Sequence, residues 1–177
     1  KAIKEPRRVA LSILFDIYGK EAINLNNDVI SAFEKNELEN FYTMYEKNIN
    51  SPKTSSMGRL FDAVASILNV SQFITFEGES GMKLEELFDK SIREHYEFDM
   101  VDKKIKIDKI IKYILKEKDK KVAVSKFFRT IVEIINFVQQ DYNNMPLVVS
   151  GGVFQNRVLL SLLIEKFQNI YFAQTIP

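Results

Sequence analysis

Leu147-Val148-Val149-Ser150-Gly151-Gly152-Val153-Phe154-Gln155-Asn156 is the stretch that decides the fold. The aliphatic run reads as a short buried strand, and Ser150-Gly151-Gly152 turns the chain out of it. A helix over 154–167 follows, and Ile170-Tyr171-Phe172-Ala173 reads as the next strand. Strand, glycine turn, helix and strand make a βαβ unit at 147–173, which requires a parallel pair and puts the chain in the α/β class. Glycines at the carboxyl end of a strand let a ligand approach the backbone with no Cβ in the way. The helix behind them offers unpaired N–H groups and the positive end of its dipole, a setting suited to a phosphate or a nucleotide edge. The same turn serves equally as a plain strand-to-helix connection. Asn156 either bonds a base or ribose or braces the first helical turn.

Outward from this unit the chain is predominantly helical. A long helix is predicted over 122–142, a shorter one from Asp108 to Lys116, and a strand-like alternation over His95–Met100 with a turn at Asp102-Lys103-Lys104. A helix is predicted from about Glu79 to Glu94. Met57–Leu68 is strongly periodic, with Leu60, Phe61, Val64 and Leu68 on one face behind a Ser55 or Ser56 cap. Nearer the start, short amphipathic helices are read at 28–33 and 38–45, and a helix beginning at Pro6 stops at Gly19. Asn48–Pro52 breaks the pattern, giving a helical segment at 1–52 and a second region at 53–177.

Composition excludes several classes. The 177 residues are 46% hydrophobic and 28% charged, enough for a real core, and 25 basic side chains nearly balance 24 acidic ones for a net charge of +1. Nucleic acid is therefore not expected as a partner. The Lys-rich stretch 103–121 is interspersed with acidic residues and reads as a solvated face. With no cysteine, disulfides and thiolate metal sites are excluded, and a reducing, cytoplasmic setting is expected. No apolar run is long enough for a membrane span. The single histidine, His95, is read as structural, because a metal needs several convergent donors. Phe41, Tyr42 and Tyr45 read as a packing face.

A second candidate site lies at the start of the Met57 helix. Gly58 in a first turn costs roughly 1 kcal/mol relative to alanine, so close approach of a neighbouring backbone or ligand is a reason for it. Asp62 follows one turn later on the same face, where a carboxylate can accept both ribose hydroxyls. Its plain alternative is an i, i+3 surface pair with Arg59.

Three ordered segments, 54–65 (Thr-Ser-Ser-Met-Gly-Arg-Leu-Phe-Asp-Ala-Val-Ala), 76–85 (Phe-Glu-Gly-Glu-Ser-Gly-Met-Lys-Leu-Glu) and 148–157, with an opening Glu5-Pro6-Arg7-Arg8-Val9-Ala10, resemble signatures of HypF-type hydrogenase-maturation carbamoyltransferases. The last is also similar to a motif of the tRNA threonylcarbamoyl-transferase family, which shares the actin-like ATPase fold. The resemblance implies a predominantly helical α/β chain, part of an actin-like ATPase (ASKHA) fold, comprising a C-terminal lobe with a helical subdomain. It implies a nucleotide held between two lobes, Gly151-Gly152 near adenosine and phosphates, Asn156 near the base, Asp62 near the ribose, and Gly58, Glu77 and Gly78 lining the cleft. The implied activity is carbamoyl transfer from carbamoyl-adenylate to the C-terminal cysteine of a HypE-type acceptor, with an ATP/AMP moiety as ligand and a divalent metal held by residues outside this chain. Further N-terminal domains of the same polypeptide are expected, and a fragment bounded like this one is expected to be inactive alone. Phe128 stands where the family commonly has histidine, which leaves core packing as the role of the 122–142 helix. The alternatives are a non-catalytic helical interaction module and a tRNA threonylcarbamoyl-transferase relative.

Overall fold

In the computed structural model, residues 4–172 are described. Ala173, assigned to the last predicted strand, lies outside them. Contacts divide the chain into two compact units, one up to Lys83 and one from Leu84.

The first unit is built around α4 (Met57–Ile67), in which Phe61 through Ile67 are all buried. A helix apolar on nearly every face belongs in the middle of a core. It packs against α1 (Pro6–Tyr18) and α2 (Asp28–Ser31). At its end Asn69 takes φ +49, and the Asn69 and Val70 N–H groups bond back to Ser66 and Ala65 at 3.0 and 2.8 Å, a Schellman stop that the glycine-seeking eye misses. α1 starts on Pro6 and stops at Gly19, where φ is +57, as the sequence indicates.

The Glu5-Pro6-Arg7-Arg8 segment has a structural task. Glu5 pairs with Arg8 at 2.7 Å and Arg7 at 3.1 Å. Arg7 is sandwiched between the Phe33 and Phe73 rings, 4.3 and 4.4 Å from their centroids, and donates to the Ala32 carbonyl. Contacts of this kind contribute ~0.5–2 kcal/mol each when shielded from water. The Tyr42 and Tyr45 rings of α3 (Lys35–Glu46) pack on Phe15, at 5.2 and 5.5 Å, and Phe41 packs on Phe33 at 5.5 Å, so the predicted packing face is one.

The second unit is organised on α7 (Lys120–Asp141), capped by Asp119, whose carboxylate accepts from the Lys121 N–H at 2.8 Å. Phe127, Phe128, Val124 and Ile131 are buried along it, with α6 (Asp108–Lys116) and α8 (Arg157–Lys166) against it. The short α5 (Glu79–Glu85) spans the division between the units.

The helix predicted to Glu94 ends at Glu85, and the rest of that segment is irregular up to β1 (Asp99–Val101). The reason lies on α7. Ser125 Oγ accepts the Asp89 N–H at 2.8 Å, Thr130 Oγ1 accepts the Tyr96 N–H at 2.9 Å, and Arg129 donates to the Ile92 and Lys90 carbonyls. Backbone groups that a helix would pair internally are met by side chains from a distant element.

β1 pairs antiparallel with β2 (Lys104–Lys106). Asp102 and Lys103 sit at φ +50 and +60, the left-handed pair that a two-residue hairpin turn needs. The predicted turn is right, but the preceding strand begins at Asp99 rather than His95. β3 (Leu147–Val149) pairs parallel with β4 (Ile170–Phe172), with Val148 opposite Tyr171. The βαβ unit is therefore present. Its first strand is not buried throughout: Val149 is, whereas Val148 is 73% exposed, because alternate residues of a short two-stranded ribbon face opposite sides. The predicted 154–167 helix begins only at Arg157, after a turn of 3-10 helix at Gly152–Gln155. No described helix is long and apolar enough to cross a membrane.

Candidate functional site

The candidate residues fall into two sets, one in each unit. In the second unit Gly151 has φ +98, a conformation open to glycine and strained for any other residue. A Cβ built at Gly151 or Gly152 meets no atom within 4 Å, so the space before the turn is open. Among the described residues the Gly151 and Gly152 N–H groups donate to no other backbone group. A turn of this kind can offer backbone N–H donors to a ligand.

The helix behind it does not. Asn156 is the N-cap of α8, accepting the Leu159 N–H at 2.9 Å, and the Arg157 N–H goes to Glu85 Oε1 at 3.0 Å. The expectation of unpaired N–H groups at this helix start is corrected for two of them: a carboxylate takes the Arg157 N–H and an amide oxygen the Leu159 N–H, as the positive end of a helix dipole favours. Asn156 Oδ1 makes the bracing contact of its two readings. Glu85 has no local sequence signal for this role, because it lies more than seventy positions from Arg157.

In the first unit, Gly58 and Asp62 lie a turn apart on α4. A Cβ at Gly58 meets only Ser56 Oγ at 3.6 Å, an ordinary contact, so no neighbouring backbone within the described residues explains that glycine. The Arg59–Asp62 pair forms, with Nη1 and Oδ2 2.8 Å apart, but it is not a surface pair: Asp62 is 3% exposed. The other flank of the guanidinium reaches Glu77, whose Oε1 is 3.8 Å from Nη2 at the solvent edge. Arg59 Nη1, Asp62 Oδ2 and Ser80 Oγ are all enclosed, the first two facing each other in the ion pair and the Ser80 hydroxyl acting on the Asp62 carboxyl. A buried cluster of polar groups that has only its own members as partners is a place where a ligand or water can add hydrogen bonds. Burial pushes the Asp62 carboxyl above its usual range, against the Ser80 hydroxyl and the Arg59 charge, which hold it down, and with Glu77, which adds to the rise.

Glu77 and Gly78 form the turn into α5, Gly78 at φ +89 with its carbonyl accepting the Met82 N–H at 3.1 Å. The turn is fixed by Glu79, which accepts from the Thr75 N–H at 2.6 Å and hydroxyl at 2.9 Å and pairs with Lys83 at 2.7 Å. The Lys83 and Thr75 contacts pull the Glu79 carboxyl down to about 2. A Thr-x-x-x-Glu spacing ahead of a helix was the available signal for it.

The whole of residues 1–177 matches the family model for the carbamoyltransferase Kae1-like domain, second subdomain. The chain belongs to the HypF carbamoyltransferase family. It is 29% identical to the carbamoyltransferase HypF of Synechocystis sp., the match covering 100% of this chain and 26% of that one. With the probable carbamoyltransferase HypF of Methanocaldococcus jannaschii it shares 24% identity over 99% of its own length and 24% of the relative's. It is similar to a solved full-length HypF in the phosphate- and nucleotide-bound form, with a TM-score of 0.82 and 31% identity, covering 99% of this chain and 29% of that one. A likeness to T. kodakarensis HypF, with a TM-score of 0.77 at 22% identity over 98% of this chain and 25% of that one, shows the shared fold. This chain therefore spans about a quarter of the length of the HypF relatives it matches.

As a member of the HypF family this chain carries Phe128 fully buried, its ring edge-on to Phe88 at 5.8 Å, which makes that position a packing one here. His95 is exposed, with Nδ1 3.0 Å from the Tyr96 carbonyl oxygen. Among the described residues no three His, Cys, Asp or Glu side chains cluster as metal donors.

Proposed function

We propose that this chain supplies nucleotide-binding groups to a cytoplasmic HypF-type enzyme that passes a carbamoyl group from carbamoyl-adenylate to the C-terminal cysteine of a HypE-type acceptor, toward the cyanide ligands of [NiFe] hydrogenase. In this reading it is part of an actin-like ATPase lobe, completed by further domains of the same polypeptide. The observation that carries it is the Ser150–Gly152 turn, where Gly151 holds φ +98, a Cβ at either glycine would meet open space, and neither glycine N–H donates to another backbone group among the described residues. Such a nest of donors suits the oxyanions of a nucleotide. The buried Asp62 and Ser80 supply the second set, matched to ribose hydroxyls that can donate to a carboxylate. The solved relative at 31% identity in a nucleotide-bound form supports the assignment.

The described residues fit a nucleotide and do not fit a metal, so no step is derived through a metal. Gly58, Asp62, Glu77 and Gly78 would bind nucleotide groups in the first unit and Gly151, Gly152 and Asn156 in the second, each set taken by itself, and AMP leaves when the acceptor sulfur takes the carbamoyl carbon. None of them is assigned as nucleophile or base. Titration calorimetry with AMP on the polypeptide as its gene encodes it is the test, using Gly152→Ala and Asp62→Asn. Because nothing crowds Gly152, its alanine variant is expected to keep its melting temperature and lose nucleotide affinity by about tenfold, or 1.4 kcal/mol. Unchanged AMP binding in both variants would leave a protein-interaction role as the better account.

A further inference from the structure

Resting on the nucleotide reading of Asp62, we propose that Arg59 is its positioning residue: the guanidinium bridges the buried Asp62 carboxylate and Glu77, keeping the carboxylate charged and oriented for the nucleoside hydroxyls and tying the Glu77–Gly78 turn to α4. The geometry is direct, with Nη1 2.8 Å from Asp62 Oδ2 and Nη2 3.8 Å from Glu77 Oε1. Placement argues the same way. Arg59 is the third residue of α4, where a cation opposes the helix dipole, so helix formation does not account for it. Nor is it a solvated surface arginine, since its side chain is 18% exposed and Nη1 is enclosed.

A carboxylate as deeply buried as Asp62 protonates unless a charge stands beside it. The groups acting on it are Arg59 of its own helix, Glu77 of the following turn and the neutral Ser80 of α5. The buried residues that α1 and α2 bring to this core, among them Ala10, Leu11, Leu14, Val29 and Ile30, are apolar. Among the described residues Arg59 is thus the one cation acting on the carboxylate, while burial and Glu77 oppose its charge. A protonated Asp62 accepts fewer hydrogen bonds and no longer matches two donating hydroxyls.

The experiment measures AMP affinity from pH 5.5 to 8.5 for the gene-encoded polypeptide and for Arg59→Gln, Arg59→Lys and Asp62→Asn, alongside the Asp62 carboxyl titration followed by carbon-13 NMR without nucleotide. Expected is an Arg59→Gln deficit of about tenfold at the acid end that shrinks as pH rises, with the carboxyl midpoint displaced upward by about one pH unit, the equivalent of tenfold. Arg59→Lys, which keeps the charge, is expected to restore the pH profile and leave a small pH-independent loss from the Glu77 side. Should Arg59→Gln not fold, an acid limb displaced upward in Arg59→Lys would itself overturn the charge argument. An Arg59→Gln variant that binds AMP like the parent, or loses the same factor at every pH without recovery by lysine, also overturns it. Failure of the underlying reading looks different: Asp62→Asn would then bind AMP undiminished.

Discussion

Thr130→Val tests the account of the irregular segment ahead of β1. Thr130 is fully buried, and its Oγ1 accepts the Tyr96 N–H at 2.9 Å while donating to the Lys126 carbonyl at 2.6 Å. Valine has nearly the same shape, so no cavity opens and the change isolates the hydrogen bonds. The Lys126 carbonyl retains its helical position, but the Tyr96 N–H is left inside the protein without an acceptor. Such a group costs about 1–3 kcal/mol. For a chain of this size each kcal/mol lowers the melting temperature by roughly 2–4 °C, giving an expected drop of about 2–12 °C. Thr130→Ser keeps the oxygen and is expected to hold the Tyr96 bond. The assay is thermal melting joined to amide hydrogen exchange, in which the Tyr96 amide should lose protection in Thr130→Val and keep it in Thr130→Ser. If Tyr96 exchanges at the same rate in both, the segment is held by something other than α7, and the reasoning is wrong.

Further outcomes follow from the turns. Gly151→Ala, which forces a side chain onto φ +98, is expected to destabilise by about 1–3 kcal/mol, whereas Gly152→Ala is expected to melt with the parent; equal melting curves for the two would refute the assignment of strain to Gly151. Glu79 has a folded pKa of about 2 against an ordinary 4.5. A lowered carboxyl gives stability that is present above the unfolded pKa and lost as pH falls through the folded one, so the window is pH 4.5 down to about 2. Glu79→Gln is expected to flatten acid unfolding in that window, read by circular dichroism; an acid limb identical to the parent's counts against the Thr75–Glu79–Lys83 clamp.

Much of the scaffold was legible because its pattern is local. Pro6 and Gly19 bracket α1, the spacing of Leu60, Phe61, Val64 and Leu68 marks α4, and the aliphatic-glycine-helix order announces the parallel pair. What sequence period could not supply is tertiary. The residues after Glu85 have helical composition, yet their N–H and C=O groups are taken by Ser125, Arg129 and Thr130. At the candidate site the Arg59–Asp62 spacing predicted the pair but not its burial, which comes from a core helix apolar on its other faces. The pairing of the Arg157 N–H at the start of α8 is not legible because its acceptor, Glu85, lies far off in sequence.

Holding that segment by its backbone has a consequence for what variation the molecule tolerates. Side chains at 89 and 96 are not what Ser125 and Thr130 grip; the amides are. Most replacements at Asp89 therefore leave the attachment intact, and the one residue shut out of both positions by the attachment itself is proline, which has no N–H to give. The constraint on the segment is written in α7, so α7 is where sequence drift would loosen it.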